Sequence, residues 1–231
     1  MDVASRYAEI ERRIQSACER SGRSRATVRL IGASKRQPLA VLSAAYRCGL
    51  RCFGENRVQE AVAKAPELPA DIEWHLLGPL QSNKVKKAVA LFRVVQAIDR
   101  IAIAVELDRE AIRQDRRISG LIEVNLGAEE SKHGFPAEAL ARTLAPLAKL
   151  ENLEIRGLMA IPPPGTSAED SRPYFRRLAA LRDELLRRPE WQARNFAGEL
   201  SMGMSDDFEV AVEEGATQVR IGSALFGPRT A

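Results

Sequence analysis

A single-domain (β/α)8 barrel of the TIM type is the α/β fold this sequence predicts, and three observations predict it. Eight short runs rich in Val, Ile, Leu and Phe succeed one another from Val28 onward, each passing through a polar or glycine-bearing turn into a helical pattern. Setting aside the 27 residues before Val28 leaves 204 of 231, about 25 per strand-plus-helix unit and close to the least a parallel crossover needs. The competing doubly wound sheet would carry a phosphate fingerprint after its first strand. Gly32-Ala33-Ser34-Lys35-Arg36-Gln37 lacks the required glycine spacing.

The leading segment, residues 1–27, reads as an extra helix and a lead-in, because Tyr7, Ile10, Ile14 and Ala17 recur at helical spacing and Gly22 supplies a stop. The strands follow as Val28–Ser34, Arg51–Gly54, Glu73–Gly78, Arg93–Ala97, Ile118–Asn125, Glu154–Ile161, Glu199–Met202 and Gln218–Gly222. Between the first two, Pro38 suits a first helical turn and Gly49 its end. Ser82 or Asn83 is positioned to cap the helix carrying Lys84 to Leu91. Pro162-Pro163-Pro164-Gly165 reads as a stiff loop after the sixth strand. No second domain remains, so residues 1–231 form one unit.

Composition narrows the function. With 45% apolar and 29% charged residues the chain can enclose a core, and no apolar run approaches the roughly 20 residues that span a bilayer. A net charge of +4 and only 12 aromatic residues supply a nucleic-acid surface poorly. Three cysteines without a paired framework, and no charged-then-apolar leader, point to reduced thiols in the cytoplasm. Two histidines, His75 and His133, exclude a His-rich metal centre, and Cys48 and Cys52 read as buried small apolar residues, so no metal is expected.

In such a barrel chemistry gathers at the carboxyl ends of the strands. Lys35 closes the first strand, where partial desolvation favours the neutral amine that attacks a carbonyl to form a Schiff base. Only seven lysines stand against 28 arginines, and arginine cannot form an imine. A solvated surface lysine is the competing reading. The seventh and eighth strand ends bring Gly203 with Ser205 and Gly222 with Ser223, small residues and backbone N–H donors in the two loops that build a barrel's phosphate cradle. Asp206 and Asp207 read as first-turn acids of the next helix after a Ser205 cap. Alternation puts Gln218, Arg220 and Gly222 on the inner face. There a buried arginine needs an acceptor, which a structural carboxylate or the ring nitrogen of a cofactor would supply. His75 reads as a hydrogen-bonded core residue.

An imine-forming lysine, a phosphate cradle and an inward arginine together suggest pyridoxal 5′-phosphate. Several stretches also resemble the pyridoxal phosphate homeostasis (YggS-like) family: Ala33-Ser34-Lys35, Phe53-Gly54-Glu55-Asn56, the run from Trp74 to Lys84, Glu130 to Phe135, Arg156 to Ile161, Leu200 to Phe208 and Val219 to Ser223. The resemblance implies a fold-type III barrel similar to the cofactor domain of alanine racemase. It places the cofactor on Lys35, its phosphate among Ser201, Gly203, Gly222 and Ser223, its ring nitrogen at Arg220, Asn56 near the ring, and Met202 among the cofactor-binding residues. The chain departs from the family at Arg36-Gln37, where threonine and a basic residue are usual.

The implied function is intracellular buffering and delivery of pyridoxal phosphate, with apo pyridoxal-phosphate enzymes as recipients and a monomer or weak homodimer as the working form. An arginine opposite the ring nitrogen cannot easily yield a proton, so carbanion chemistry loses driving force. Tyr7, Tyr46 and Tyr174 all fall on predicted helices, away from a second acid/base role. The alternatives are a racemase or decarboxylase of the same fold type, and a cofactor-free aldolase using Lys35. Lys132, after the fifth strand, could capture aldehyde transiently or be a solvated loop charge.

Overall fold

The computed structural model describes residues 2–127, 134–140, 144–163, 165, 167–193 and 196–228. Lys132 and Pro164 lie outside the described residues. Among the described residues nine strands are present: β1 (Arg29–Ala33), β2 (Cys52–Glu55), β3 (Glu73–Leu76), β4 (Val94–Ile98), β5 (Ile118–Asn125), β6 (Phe135–Pro136), β7 (Leu153–Met159), β8 (Glu199–Ser201) and β9 (Gln218–Ile221). Every pairing is parallel, in the order β4-β3-β2-β1-β9-β8-β7-β5, and β4 pairs with β5 to close an eight-stranded barrel. The eight expected strands are all found, their ends within two residues. The short β6 lies against β5 outside the ring; two residues are too few to show a period.

Outward side chains of the strands, among them Leu30, Phe53, Trp74, Val95, Ile122, Leu158, Leu200 and Val219, share one apolar cluster with the helices. The helices are α1 (Val3–Arg20), α2 (Leu39–Arg47), α3 (Val58–Lys64), α4 (Val85–Leu91), α5 (Ile101–Arg113), α6 (Arg172–Leu186), α7 (Pro189–Gln192), α8 (Phe208–Glu213) and α9 (Ser223–Phe226). The predicted stripe of α1 is buried at Ile10, Ile14 and Ala17, and Asp2 caps the helix by accepting from the Ser5 N–H at 2.8 Å. Arg13 of α1 lies over the Phe208 ring of α8, 4.6 Å from its centroid. A barrel has no free sheet edge, so this outer layer supplies most of the apolar burial.

The interior is different. Among the described residues, Val94, Ala97, Leu121 and Met159 form a small apolar cluster there. Apart from Ile31, the other buried side chains of the described inner face are polar: His75, Gln96, Ser201, Gln218 and Arg220.

Three local expectations are corrected. Ser82–Lys84 forms a 3₁₀ turn before α4, whose first residue is preceded by Lys84 with no side-chain cap, so neither Ser82 nor Asn83 caps it. Cys48 and Cys52 are half-buried rather than buried, because Cys52 shares its inner face with Glu73 and His75 instead of packing against helices. Ser205 does not cap α8, which begins at Phe208 after Asp207.

Candidate functional site

Lys35 opens the turn that leaves β1, half-buried at the carboxyl end of the barrel. The register pairs Ala33 with Gly54, which sets Lys35 beside Asn56. Both line a cavity of about 330 Å³ with Arg36, Arg57 and Glu60. The turn is tightly specified. Ser34 Oγ donates to Glu55 Oε1 at 2.6 Å, and Lys64 Nζ donates to the Ser34 carbonyl at 2.9 Å, to Glu55 Oε1 at 2.8 Å and to Glu60 Oε1 at 2.9 Å. Glu60 also accepts the Arg36 N–H, and Arg36 adopts φ +57°, a left-handed conformation that a non-glycine residue holds only where its surroundings impose it. Gln37, the second departure from the family pattern, is buried and closes the turn through its N–H to the Ser34 carbonyl at 3.0 Å.

Asn56 is fixed by its neighbour. A Cβ added at Gly78 would lie 2.4 Å from the Asn56 carbonyl oxygen, so Gly78 is what lets the β2 and β3 loops pass so closely. Gly78→Ala is expected to destabilise the protein by about 1–3 kcal/mol and to displace Asn56; an unchanged melting temperature would show that the loops part freely. Asn56 and Arg57 also line a wide cleft of about 910 Å³, to which Lys84, Arg100 and Gln81 contribute from the next two loops.

The loops after β8 and β9 emerge together. Arg220 N–H donates to the Gly203 carbonyl at 3.0 Å, and Ser205 Oγ accepts from the Ala224 N–H at 3.2 Å. Asp207 staples its own loop: one carboxylate oxygen accepts from Met204 N–H at 2.7 Å, the other from Ser171 Oγ at 2.8 Å. It does so from the N-cap position of α8, so its charge still stands at the helix start. Gly203 has φ +89° and a Cβ there would sit 2.5 Å from Ala211 Cβ, so the chain demands glycine. At Gly222 a Cβ would meet nothing nearer than 3.4 Å. The backbone N–H groups of Gly203, Gly222 and Ser223 donate to no group among the described residues. Unspent N–H donors in two adjoining loops are the kind of group that can receive an anion, and the β1–β9 register brings Lys35 beside them.

Arg220 sits below, 5% exposed. Its Nη1 donates to Ser201 Oγ at 2.6 Å and its Nη2 to the Ala160 carbonyl at 3.0 Å. Burial pushes its guanidinium down to about 10, against the pull of Asp207 and Glu123, so it remains a cation at neutral pH. The hydroxyl of Ser201, fully buried, is therefore engaged with Arg220 and, at 2.6 Å, with Gln96 Oε1. The Met202 side chain packs in the outer apolar cluster and its N–H bonds the Gln218 carbonyl, leaving only its carbonyl for the cleft.

Toward the amino end, Gln96 Nε2 lies 2.9 Å from His75 Nδ1, and His75 Nε2 lies 2.9 Å from Glu73 Oε1, which Arg29 also reaches at 2.7 Å. Cys52 completes a group of three potential ligands within 4.8 Å. Burial pushes its thiol up to about 11, so it stays protonated, and the other two are already bonded to each other. Burial also holds His75 below its ordinary value, opposed by the hydrogen bond to Glu73. An unfolded histidine takes a proton near pH 6.5, so His75 contributes stability in full above that pH and loses it as the pH falls. Glu73, held low by the His75 hydrogen bond, acts in the same direction. The melting temperature is expected to drop between pH 7 and pH 5, and His75→Gln to flatten the upper part of that slope.

Sequence reasoning did not find the Glu55–Lys64–Glu60 support of the Lys35 turn, whose members lie on an outward strand face and a helix. Gln96 was legible in principle, as a lone amide in the apolar run Val94–Ile98.

The family described as alanine racemase, N-terminal domain, matches residues 7–230. A pyridoxal phosphate homeostasis protein of Aquifex aeolicus is 46% identical over 230 residues, 99% of each chain. The solved structure of PipY of Synechococcus elongatus PCC7942 with PLP bound is 40% identical, with a TM-score of 0.84 over 98% of this chain and 100% of that one. An alanine racemase of Clostridium difficile, 14% identical with a TM-score of 0.68, shares the fold over 95% of this chain and 56% of its own.

Proposed function

Because the chain belongs to the pyridoxal phosphate homeostasis protein family, we propose that it binds pyridoxal 5′-phosphate reversibly and takes part in its intracellular buffering and delivery. One observation carries the reading: Lys35 stands beside two loops whose Gly203, Gly222 and Ser223 N–H groups are unspent. These N–H groups receive the phosphate with Ser223, room at Gly222 admits it, Arg220 meets the ring nitrogen, and Asn56 borders the ring. Lys35 would hold the ligand covalently yet reversibly, since its amine is the group that could condense with an aldehyde with loss of water. Ser201 acts through Arg220, to which its hydroxyl is bonded.

A carrier fits the surroundings better than a catalyst. Arg220 is donor-only and stays charged, so it disfavours the protonated ring that carbanion chemistry exploits. The three tyrosines lie on α1, α2 and α6, and Tyr46 is bonded to Asp71 at 2.7 Å. The broad cleft beside Asn56, lined by Arg57, Lys84 and Arg100, gives an anionic ligand a cationic way in and out. Its recipients are apo pyridoxal-phosphate enzymes, met in the cytoplasm by a one-domain monomer or weak homodimer. No described helix is long and apolar enough to cross a membrane.

The test is direct. Protein mixed with pyridoxal phosphate should show a visible imine band, and borohydride should fix one adduct that maps to Lys35. Absence of band and adduct would reject cofactor binding. Turnover of amino acids, read as loss of the α-proton or carboxylate, would overturn the carrier reading in favour of a racemase or decarboxylase.

A further inference from the structure

Five side chains cross the barrel interior as one directional chain. Glu73 can only accept, so His75 Nε2 carries the hydrogen between them at 2.9 Å. His75 Nδ1 then accepts from Gln96 Nε2 at 2.9 Å. That fixes the Gln96 amide: its second N–H donates to Gln218 Oε1 at 2.7 Å, and its Oε1 accepts the Ser201 hydroxyl proton at 2.6 Å. Ser201 Oγ has a lone pair left for Arg220 Nη1, at 2.6 Å. Arginine can only donate. An acceptor-only group at one end and a donor-only group at the other leave the ambivalent imidazole, amide and hydroxyl a single consistent pattern of protons. Gln218 Nε2 closes a side branch onto Glu199 Oε2 at 2.7 Å.

We propose that His75, Gln96 and Ser201 are positioning residues, a hydrogen-bond chain that holds Arg220 in one orientation as a donor beneath the mouth of the barrel and ties that orientation to a neutral His75. The proposal deepens the cofactor-binding reading and rests on it for the identity of what Arg220 meets. Two of the five Arg220 N–H donors are committed to Ser201 and the Ala160 carbonyl, which pins the guanidinium plane. Burial strengthens the links among His75, Gln96, Ser201 and Arg220 and makes a reversed link there costly, because a donor facing a donor in the dry interior loses its bond outright. A proton on His75 Nδ1 would face the Gln96 amide hydrogen. The amide would have to turn, and its oxygen would leave Ser201. The groups facing His75 are Glu73, Gln96, Arg29, Cys52 and Glu199; those facing Arg220 are Ser201, Ala160, Asp207 and Glu123.

Gln96→Met cuts the chain in the middle without touching the mouth, and Gln96→Glu keeps the shape while removing the donor to His75. In pyridoxal-phosphate-loaded protein, the pH midpoint of the visible band should move by at least about 0.5 unit in Gln96→Met, a signature that loss of packing alone does not give. In ligand-free protein, nitrogen NMR should show His75 as the neutral Nε2–H form in the wild type and as imidazolium near pH 7 in Gln96→Glu. The Arg220 Nη hydrogens should exchange slowly in the wild type and fast in Gln96→Met. An unmoved band midpoint with Arg220 exchange unchanged by Gln96→Met overturns the chain. If the wild type takes up no cofactor, the functional reading fails by itself, and the two ligand-free measurements still decide the chain.

Discussion

Lys35→Ala should remain colourless in the presence of pyridoxal phosphate, and borohydride should add no mass to it. The loops carrying Gly203, Gly222 and Ser223, and Arg220 itself, are untouched by this change, so the variant should keep non-covalent binding. Its affinity should fall at least about tenfold, the equivalent of about 1.4 kcal/mol. Melting temperature in the absence of ligand should change little, because Lys35 is half-buried in a turn whose conformation is fixed by Ser34, Glu60 and Lys64. A visible band that survives the change, with the adduct moved to another lysine, would show that Lys35 is not the anchor.

Lys64→Met should cost more stability than any surface change, although Lys64 lies outside the stretches that carry the family resemblance. Its ammonium, 12% exposed, bridges the fully buried Glu55, Glu60 and the Ser34 carbonyl. Burial pushes Glu55 up, with the Lys64 and Ser34 hydrogen bonds holding it back, and its Oε2 has no partner. Removing Lys64 leaves that carboxylate buried without a counter-charge, expected to cost about 3–5 kcal/mol, or roughly 10 °C in melting temperature. Glu55→Leu added to Lys64→Met should recover most of the loss, since a matched apolar pair avoids the desolvation of both ions. The single variant should also weaken imine formation, because Ser34 precedes Lys35 directly. A melting temperature within a degree of the wild type would show that the cluster is dispensable.

Much of the architecture was legible because it rests on short-range regularities. The alternation in Gln218–Ile221 that put Arg220 inside the barrel is a period-two pattern, and the structure buries Arg220 on that face. Gly203 and Gly222 were legible as small residues at strand ends, although only Gly203 marks a close approach, its Cβ position lying 2.5 Å from Ala211 Cβ. The caps were misread. Ser205 precedes a helix by three residues and has the right chemistry, yet its hydroxyl serves Ala224, a residue 19 positions later. Met202 was assigned to the cofactor with its whole motif, while its side chain packs among the helices.

The sequence by itself determined the barrel, the family, and which loops carry Lys35, Asn56, Gly203, Gly222 and Ser223, because each depends on local periodicity or on a contiguous motif. Only the tertiary structure decided how those loops are held and what lies beneath them. Closure of β4 onto β5 wraps the inner faces around one axis, so that Gln96 meets His75, Gln218 and Ser201 from three other strands, and Lys64 folds back under Ser34. Hydrogen bonds between residues 21 to 122 positions apart follow from that geometry and leave no pattern along the chain.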